Sequence, residues 1–151
     1  MKKLIIFILL FTLVGCEKMT EENGLYVFVE EQNVAPISIV SNADVTKLEE
    51  LKQQLQDVEE LYDVVIIDGE KELLITYKVK QLSRLRMKHI EKEVKKVAKD
   101  FLNEDKDVVV SSDYKIFLEA IRLHNESLNQ MDEKKKLDKF DWIIKLQKEM
   151  T

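Results

Sequence analysis

The residues with the most distinctive chemistry lie at the start of the chain. Two lysines precede an apolar run from Leu4 to Val14, which only Thr12 interrupts, and Gly15-Cys16 follows directly. Cys16 is the only cysteine of the 151 residues. A cysteine that follows a short apolar run and a small residue is typical of bacterial lipoproteins. A lipid transferase modifies its thiol, and a signal peptidase then removes the residues before it. We therefore predict that residues 1–15 are a lipoprotein signal peptide and that Cys16 is the lipidation site.

The length of the apolar run decides between a leader and a permanent membrane helix. The run supplies about half of the roughly 20 residues that a helix needs to cross a bilayer. A cleaved chain would begin at Cys16 with a diacylglyceryl group, whose two acyl chains, of the palmitate kind, attach a protein stably to a membrane. We expect the protein on the extracytoplasmic face of the cell membrane. The alternative is a free or disulfide-bonded Cys16, and a disulfide would need a second cysteine.

Charge limits the possible partners. The sequence holds 24 basic and 29 acidic residues, a formal net charge of −5, and loss of the two leader lysines makes the balance more negative. Nucleic-acid binding needs a basic face, and no predicted element concentrates Lys and Arg without Asp or Glu between them. The sequence therefore predicts no nucleic-acid partner, and it disfavours anionic lipid on the same ground.

Catalytic and metal-binding patterns are not evident. His89 and His124 are the only histidines, and they lie in different predicted helices without the spacing of metal ligands. We interpret His89 as a surface residue and His124 as partly buried. Carboxylate pairs are abundant, but a glycosidase needs two carboxylates held across a cleft. The pairs are Glu49/Glu50, Glu59/Glu60 and Asp105/Asp107. We predict no enzymatic activity, no metal, no cofactor and no small-molecule substrate.

Three further groups could contact a partner. Lys134 to Lys136 could meet anionic lipid or a wall polymer, although flanking acidic residues favour a solvated helix start. Trp142 lies off the apolar side of the last predicted helix, where it could close over the core or, with Phe140, Ile143 and Leu146, form a patch for a partner. Sugar binding favours exposed aromatic rings with convergent polar groups. The candidates for it are scattered along the sequence: Tyr26, Phe28, Tyr62, Tyr77 and Tyr114.

A polar tether is predicted between the lipidation site and the folded domain. Residues 16–43 are mostly irregular in pattern, except for Tyr26 to Val29 and Ile37 to Val40, either of which could add a strand to the sheet. Pro36 would then mark the start of the second candidate, where a missing N–H costs little.

Residues 44–128 are predicted to form the folded domain. Asp44 is a candidate N-cap for a first helix, and Ser111-Ser112-Asp113 offers caps for a later one. Asp68-Gly69 between two β-rich runs predicts a tight hairpin of type I′. Its second strand would bury one side and keep Leu74, Thr76 and Lys78 half solvated. The predicted elements are a helix from Asp44, strands over 62–67 and 72–79, a helix over 83–102, a strand over 108–110 and a helix after Asp113.

The fold class follows from the order of these elements. It predicts an α+β protein with a small αββαβ sheet that carries helices on one face. If residues 37–40 form a strand, the order becomes the βαββαβ of ferredoxin-like folds. Residues 129–151 add a C-terminal amphipathic helix, predicted from Leu137 to Met150, with apolar residues at helical spacing.

The middle of the chain, from Val45 to Leu123, resembles the sporulation lipoproteins of the YhcN/YlaJ type from endospore-forming bacteria. The segments that carry this resemblance are Leu48-Glu49-Glu50-Leu51, Val64 to Ile67, Lys71 to Ile75, Ile90 to Lys99 and Val108 to Asp113. The resemblance implies a place in the spore or forespore membrane, a part in germination or outgrowth, and no enzymatic activity. The chain departs from one branch of that family because its C-terminus alternates Lys with Asp and has no long acidic tail.

Two hypotheses for function follow. The first is a non-enzymatic, membrane-anchored lipoprotein of the cell or spore envelope, associated with sporulation or germination, that acts through contacts with an envelope protein. The second is a binding module for peptidoglycan or another wall polymer.

Overall fold

The structure is a computed structural model that describes residues 33–40, 44–102 and 106–150. The predicted signal peptide, the lipidation site Cys16, the candidate strand Tyr26 to Val29 and Asp105 lie outside the described residues. The elements are β1 (Ile37–Ser38), α1 (Val45–Gln56), β2 (Leu61–Asp68), β3 (Glu72–Val79), a 3-10 helix (Gln81–Arg86), α2 (Met87–Leu102), β4 (Asp107–Ser111), α3 (Tyr114–Leu128) and α4 (Glu133–Met150).

The four strands form one mixed sheet in the order β1-β2-β3-β4. β2 and β3 pair as an antiparallel hairpin, while β1 pairs with β2 and β4 pairs with β3 in parallel. The predicted α+β class is confirmed, and β1 shows that the second candidate strand joins the sheet directly after Pro36. The arrangement differs from the split pattern of ferredoxin-like folds, because each parallel pair consists of adjacent strands.

One core lies between the sheet and the helices α1 and α2. Leu51 and Leu55 of α1 and Ile90 and Val94 of α2 are fully buried on this face. The apolar side predicted for each helix from its periodicity is therefore the side that packs. On the strands, this core takes alternate residues, as a pleated sheet requires: Val64, Ile66, Leu73, Ile75, Tyr77, Val79, Val108 and Val110.

A second core covers the opposite face of the sheet. Phe117 and Ile121 of α3 and Phe140 and Ile143 of α4 pack here. Leu74, Thr76 and Lys78 of β3 are buried under these helices, so the prediction of a half-solvated face was wrong. The hydroxyl of Thr76 and the charge of Lys78 suggested solvent, but burial of that face is decided by helices that come later in the chain.

The helix starts follow the predicted caps. The Asp44 carboxylate accepts a hydrogen bond from the Thr46 N–H, and Asp113 accepts from Lys115 and Ile116. These bonds satisfy backbone donors that a helix leaves unpaired in its first turn. The predicted helix over 83–102 is instead two elements, because the chain follows a 3-10 path to Arg86 before α2 begins.

The turn between β2 and β3 is not the predicted type I′ turn. Gly69 has no positive φ, and its N–H donates to the Glu72 carbonyl oxygen across a longer loop. The glycine is required for another reason. A Cβ on Gly69 would lie 2.9 Å from Cζ of the buried Phe140 ring, closer than side chains pack.

Candidate binding site

Aromatic, basic and hydroxyl side chains come together at the end of the sheet where β2 begins and β3 and β4 end. A pocket of about 360 Å³ opens there, a volume that holds a small ligand or one large side chain. We call it the tyrosine pocket. Its lining residues are Tyr62, Tyr77, Lys78, Val79, Arg84, Met87, Ser112, Tyr114 and Phe117.

A larger groove of about 660 Å³ lies between the β2–β3 turn and α4. Acidic and basic side chains alternate along it, and they pair with one another at its surface, as Lys148 does with Glu72 at 3.4 Å. Exposed pairs of this kind contribute little and select no particular ligand. The tyrosine pocket is therefore the better candidate site.

An irregularity in β2 presents Tyr62 to the pocket. The register of the hairpin shifts between Leu61 and Asp63, so Tyr62 has no partner of its own on β3. Such a bulge turns a side chain away from the regular alternation and is common beside functional sites. Tyr62 is exposed, although the residues on either side of it are buried.

Tyr114 also lines the pocket, as the first residue of α3, directly after the N-cap Asp113. Electrostatics couples it to Tyr62. The pKa of Tyr62 is raised above 10.0, first by burial and then by the negative charge of Asp63, with a smaller increase from Tyr114 and an opposing effect of the Arg84 guanidinium. Two phenol groups and one guanidinium thus line one pocket.

Lys78, which is held in a buried ion pair, forms the floor of the pocket. Lys78 Nζ lies 3.2 Å from Asp63 Oδ2, and the two residues are direct partners across β2 and β3. The same ammonium lies 4.3 Å from the ring centroid of Phe117 and 5.8 Å from that of Tyr62. A cation held between a carboxylate and two rings has little rotamer freedom, so the floor is rigid.

Tyr77 lies on the other side of β3 from Lys78 and keeps its proton over a wide pH range. The pKa of Tyr77 is raised to about 12, first by burial and then by the negative charge of Glu91, while a hydrogen bond with Ser112 opposes both. The hydroxyl has no hydrogen bond of good geometry in the described part of the chain. At neutral pH it is therefore a neutral phenol that can donate to an acceptor.

The structure brings together three of the five aromatic candidates for sugar binding. Tyr62, Tyr77 and Tyr114 are distant in sequence but line one pocket. The prediction that they are scattered was wrong for these three, while Tyr26 and Phe28 lie outside the described residues.

The two histidines lie where the sequence predicted. His89 is exposed on α2, and His124 is buried on α3, where Nδ1 lies 3.2 Å from Asn125 Oδ1. Glu49, Glu50 and Glu59 are exposed. Within residues 33–40, 44–102 and 106–150, no three His, Cys, Asp or Glu side chains are grouped so that they could hold a metal ion.

The candidate partner contacts near the C-terminus differ in exposure. Lys134 and Lys135 are exposed in the first turn of α4, as expected of a solvated helix start. Trp142 is 46% exposed, so it does not close over the core. Phe140 and Ile143 are buried, so they form no exposed patch with it.

One basic segment was missed at the sequence level. Lys78, Lys80, Arg84, Arg86 and Lys88 follow one another with no acidic residue among them. The signal was present in the sequence, but the segment was divided between a predicted strand and a predicted helix, and neither showed the whole run.

Comparison of the chain with models of protein families, with curated proteins and with solved structures finds no match. The resemblance to the YhcN/YlaJ type therefore stays a prediction. In the part of the chain that the structure describes, no helix has both the length and the apolar character that crossing a membrane requires.

Proposed function

We propose that this chain is a non-enzymatic lipoprotein of the cell or spore envelope, attached to the membrane through a diacylglyceryl group on Cys16 and acting through protein contacts in sporulation or germination. The tyrosine pocket is the observation that supports action through protein contacts. The pattern of the first sixteen residues supports attachment to the membrane.

The composition of the pocket suits a protein partner. Tyrosine and arginine are enriched among the residues that dominate the energy of protein interfaces, because they bury much area and keep a polar end. Tyr62 and Tyr114 present such rings, and Arg84 adds a guanidinium to the same lining. The bulge, the capped helix start and the buried ion pair fix the positions of these groups before any partner arrives, which lowers the entropic cost of binding.

The sheet edges are less suited to this role. β1 has two residues, and on β4 the Gln147 side chain lies 3.5 Å from the Val110 carbonyl oxygen. A short edge and a covered edge are both poor templates for an added strand. Contact through side chains in the pocket is therefore favoured over strand addition.

Site-specific photocrosslinking in intact membranes tests the contact. A photoreactive residue would replace Tyr62 or Tyr114, which are 42% and 49% exposed, and Trp142, which is 46% exposed, provides a matched control on α4. We expect the same discrete adduct from positions 62 and 114 and none from position 142. Identical adducts from all three positions, or none at the pocket, would contradict the proposal.

Cell fractionation tests the anchor separately. Cys16→Ser removes the only thiol, so the mature chain should move from the membrane fraction to the soluble fraction. Unchanged fractionation would exclude lipid attachment at Cys16 without bearing on the pocket.

A wall polymer is the second candidate ligand, because aromatic rings beside polar groups also suit the faces and hydroxyls of sugars. A pull-down on purified peptidoglycan or spore cortex distinguishes the two. Saturable binding that Tyr62→Ala/Tyr114→Ala abolishes and Trp142→Ala preserves would favour the polymer, and no binding would favour a protein partner.

A further inference from the structure

The 3-10 helix before α2 exposes two large apolar side chains. Leu82 is 94% and Leu85 is 99% exposed. Residues three apart in a 3-10 helix eclipse one another, so both leucines project from the same side of the element. We call Leu82 and Leu85 the leucine ridge. No side chain in the described ranges covers it, and leucines this exposed are costly unless something else removes them from water.

The segment of sequence that carries the leucine ridge has basic residues and no acidic ones. Lys80, Arg84, Arg86 and Lys88 lie in and beside the 3-10 helix, and no acidic residue occurs in the sequence between Glu72 and Glu91. One of these cations is paired, since Arg86 Nη1 lies 2.9 Å from Glu60 Oε1. Arg84 lies beside Tyr62, and Lys80 and Lys88 are exposed.

We propose that the leucine ridge is a peripheral membrane contact that binds an anionic lipid surface. Its two leucines would enter the acyl boundary while the flanking lysines and arginines stay among the phosphates. This combination of a few apolar side chains and adjacent cations is the chemistry of interfacial binding. The proposal goes beyond the proposed function and does not depend on lipid attachment at Cys16.

Two features favour a lipid surface over a protein as the occupant. The ridge projects from a six-residue helix, whereas a protein interface needs a broad complementary area with a polar rim. The exposed cations beside the ridge, Lys80, Arg84 and Lys88, also complement the negative charge of a phosphate layer. The net charge of −5 does not oppose the contact strongly, because charges farther than about 10 Å from the lipid are screened at physiological salt.

The test uses an environment-sensitive fluorophore on the full chain. In a Cys16→Ser background, Leu85→Cys provides a single labelling site on the ridge. Leu128→Cys provides the control, because Leu128 is also exposed but ends α3, about 20 Å along that helix from the tyrosine pocket. Both proteins carry the same N-terminal residues and the same Cys16→Ser change, so they differ only in the position of the label.

We expect a blue shift and quenching by brominated lipid at position 85 on vesicles of phosphatidylglycerol with phosphatidylcholine, and neither effect at position 128. On vesicles of phosphatidylcholine alone, position 85 should respond weakly. Lys80→Gln/Lys88→Gln, which leaves the pocket lining intact, should reduce the equilibrium constant for contact roughly tenfold or more, since each cation near an anionic surface contributes substantially.

Three results would overturn the proposal. Equal responses at both positions would show that contact is unspecific. No response at position 85 on anionic vesicles would show that the ridge does not enter lipid. A blue shift that rises with protein concentration in the absence of vesicles would show that a second copy of the chain covers the leucines.

Discussion

At the residue scale, the ion pair of Lys78 and Asp63 combines two roles. It satisfies two charges inside the second core, and it fixes the floor of the tyrosine pocket. Buried pairs contribute little net stability compared with apolar residues of the same size, but loss of one partner leaves the other charge buried and uncompensated. The pair is therefore expected to be sensitive to single substitutions and tolerant of a joint replacement.

Asp63→Asn should lower the free energy of unfolding by about 3 to 5 kcal/mol, because it removes the carboxylate charge that lies 3.2 Å from the buried Lys78 ammonium. Asp63→Leu/Lys78→Met should recover most of this loss. Urea unfolding measures both variants. Lys139→Met is the control, since it removes an ion pair with the exposed Glu126 and should cost less than about 1 kcal/mol. Equal losses for the buried and the exposed pair would contradict this expectation.

Tyr77 gives the domain an alkaline pH dependence. Its folded pKa of about 12 lies above the 10.0 of an exposed tyrosine, so its contribution to stability is complete below pH 10 and is lost as the pH rises through 12. The loss amounts to about 2 to 3 kcal/mol. In Tyr77→Phe, the free energy of unfolding should decrease less between pH 10 and pH 12. The absorbance titration of tyrosinate should also lose the step at the highest pH. A wild-type titration that is complete near pH 10 would refute the assignment.

At the element scale, the β2–β3 turn and α4 are fitted to each other at Gly69. The Phe140 ring occupies the space that a side chain on Gly69 would need, and the Glu72 carbonyl oxygen lies 3.0 Å from the same point. The turn can therefore approach the second core only with a glycine at this position.

Gly69→Ala should destabilise the protein by about 1 to 3 kcal/mol through overpacking against Phe140. In a Phe140→Leu background the same change should cost less, because the ring is gone. A double-mutant cycle from urea unfolding measures this coupling. Additive effects of the two substitutions would show that the contact does not constrain the turn.

Local signals explain which elements the sequence predicted well. Asp44 and Asp113 are caps whose effect reaches only a few residues, and the helix faces have a periodicity that any packing partner would select. The 3-10 helix and the bulge at Tyr62 were not predicted, because neither has a periodic pattern. Burial of Lys78 was missed because it depends on Phe117, a residue of a different element.

The tyrosine pocket required the topology as well as the residues. Tyr62 begins β2, Tyr77 lies near the end of β3, and Tyr114 follows β4. These positions meet only because β2 is antiparallel to β3 and β4 is parallel to it. The sequence predicted the β2–β3 hairpin, but the partner of β4 was not fixed by any local pattern, so the convergence could not be derived.

At the scale of the whole molecule, two cores share one sheet. Val64 and Ile66 face one core, while the adjacent Val65 and Ile67 face the other. Both cores therefore use the same strands. Loss of either core would weaken the sheet and, through it, the other core. We therefore expect the described domain to unfold as one cooperative unit.

Leu51→Ala tests this cooperativity. Leu51 is fully buried in the first core, and its truncation should cost about 2 to 5 kcal/mol. Trp142, the only tryptophan, lies on α4 beside the second core and provides a distant reporter. Its fluorescence and the far-ultraviolet circular dichroism should shift to the same lower midpoint on heating. A Trp142 transition that keeps its wild-type midpoint would show that the cores unfold independently.

The segment that leads from Cys16 enters the folded domain through the shortest strand of the sheet. β1 is held by two positions of pairing with β2, by the Ile39 N–H on the Asp68 carbonyl and by Ser38 Oγ at 3.2 Å from Asp68 Oδ2. The hairpin of β2 and β3 is paired over seven positions. If Cys16 carries the proposed lipid anchor, tension from the bilayer would detach β1 first. Its release would lengthen the linker and relax the load while the hairpin stays intact.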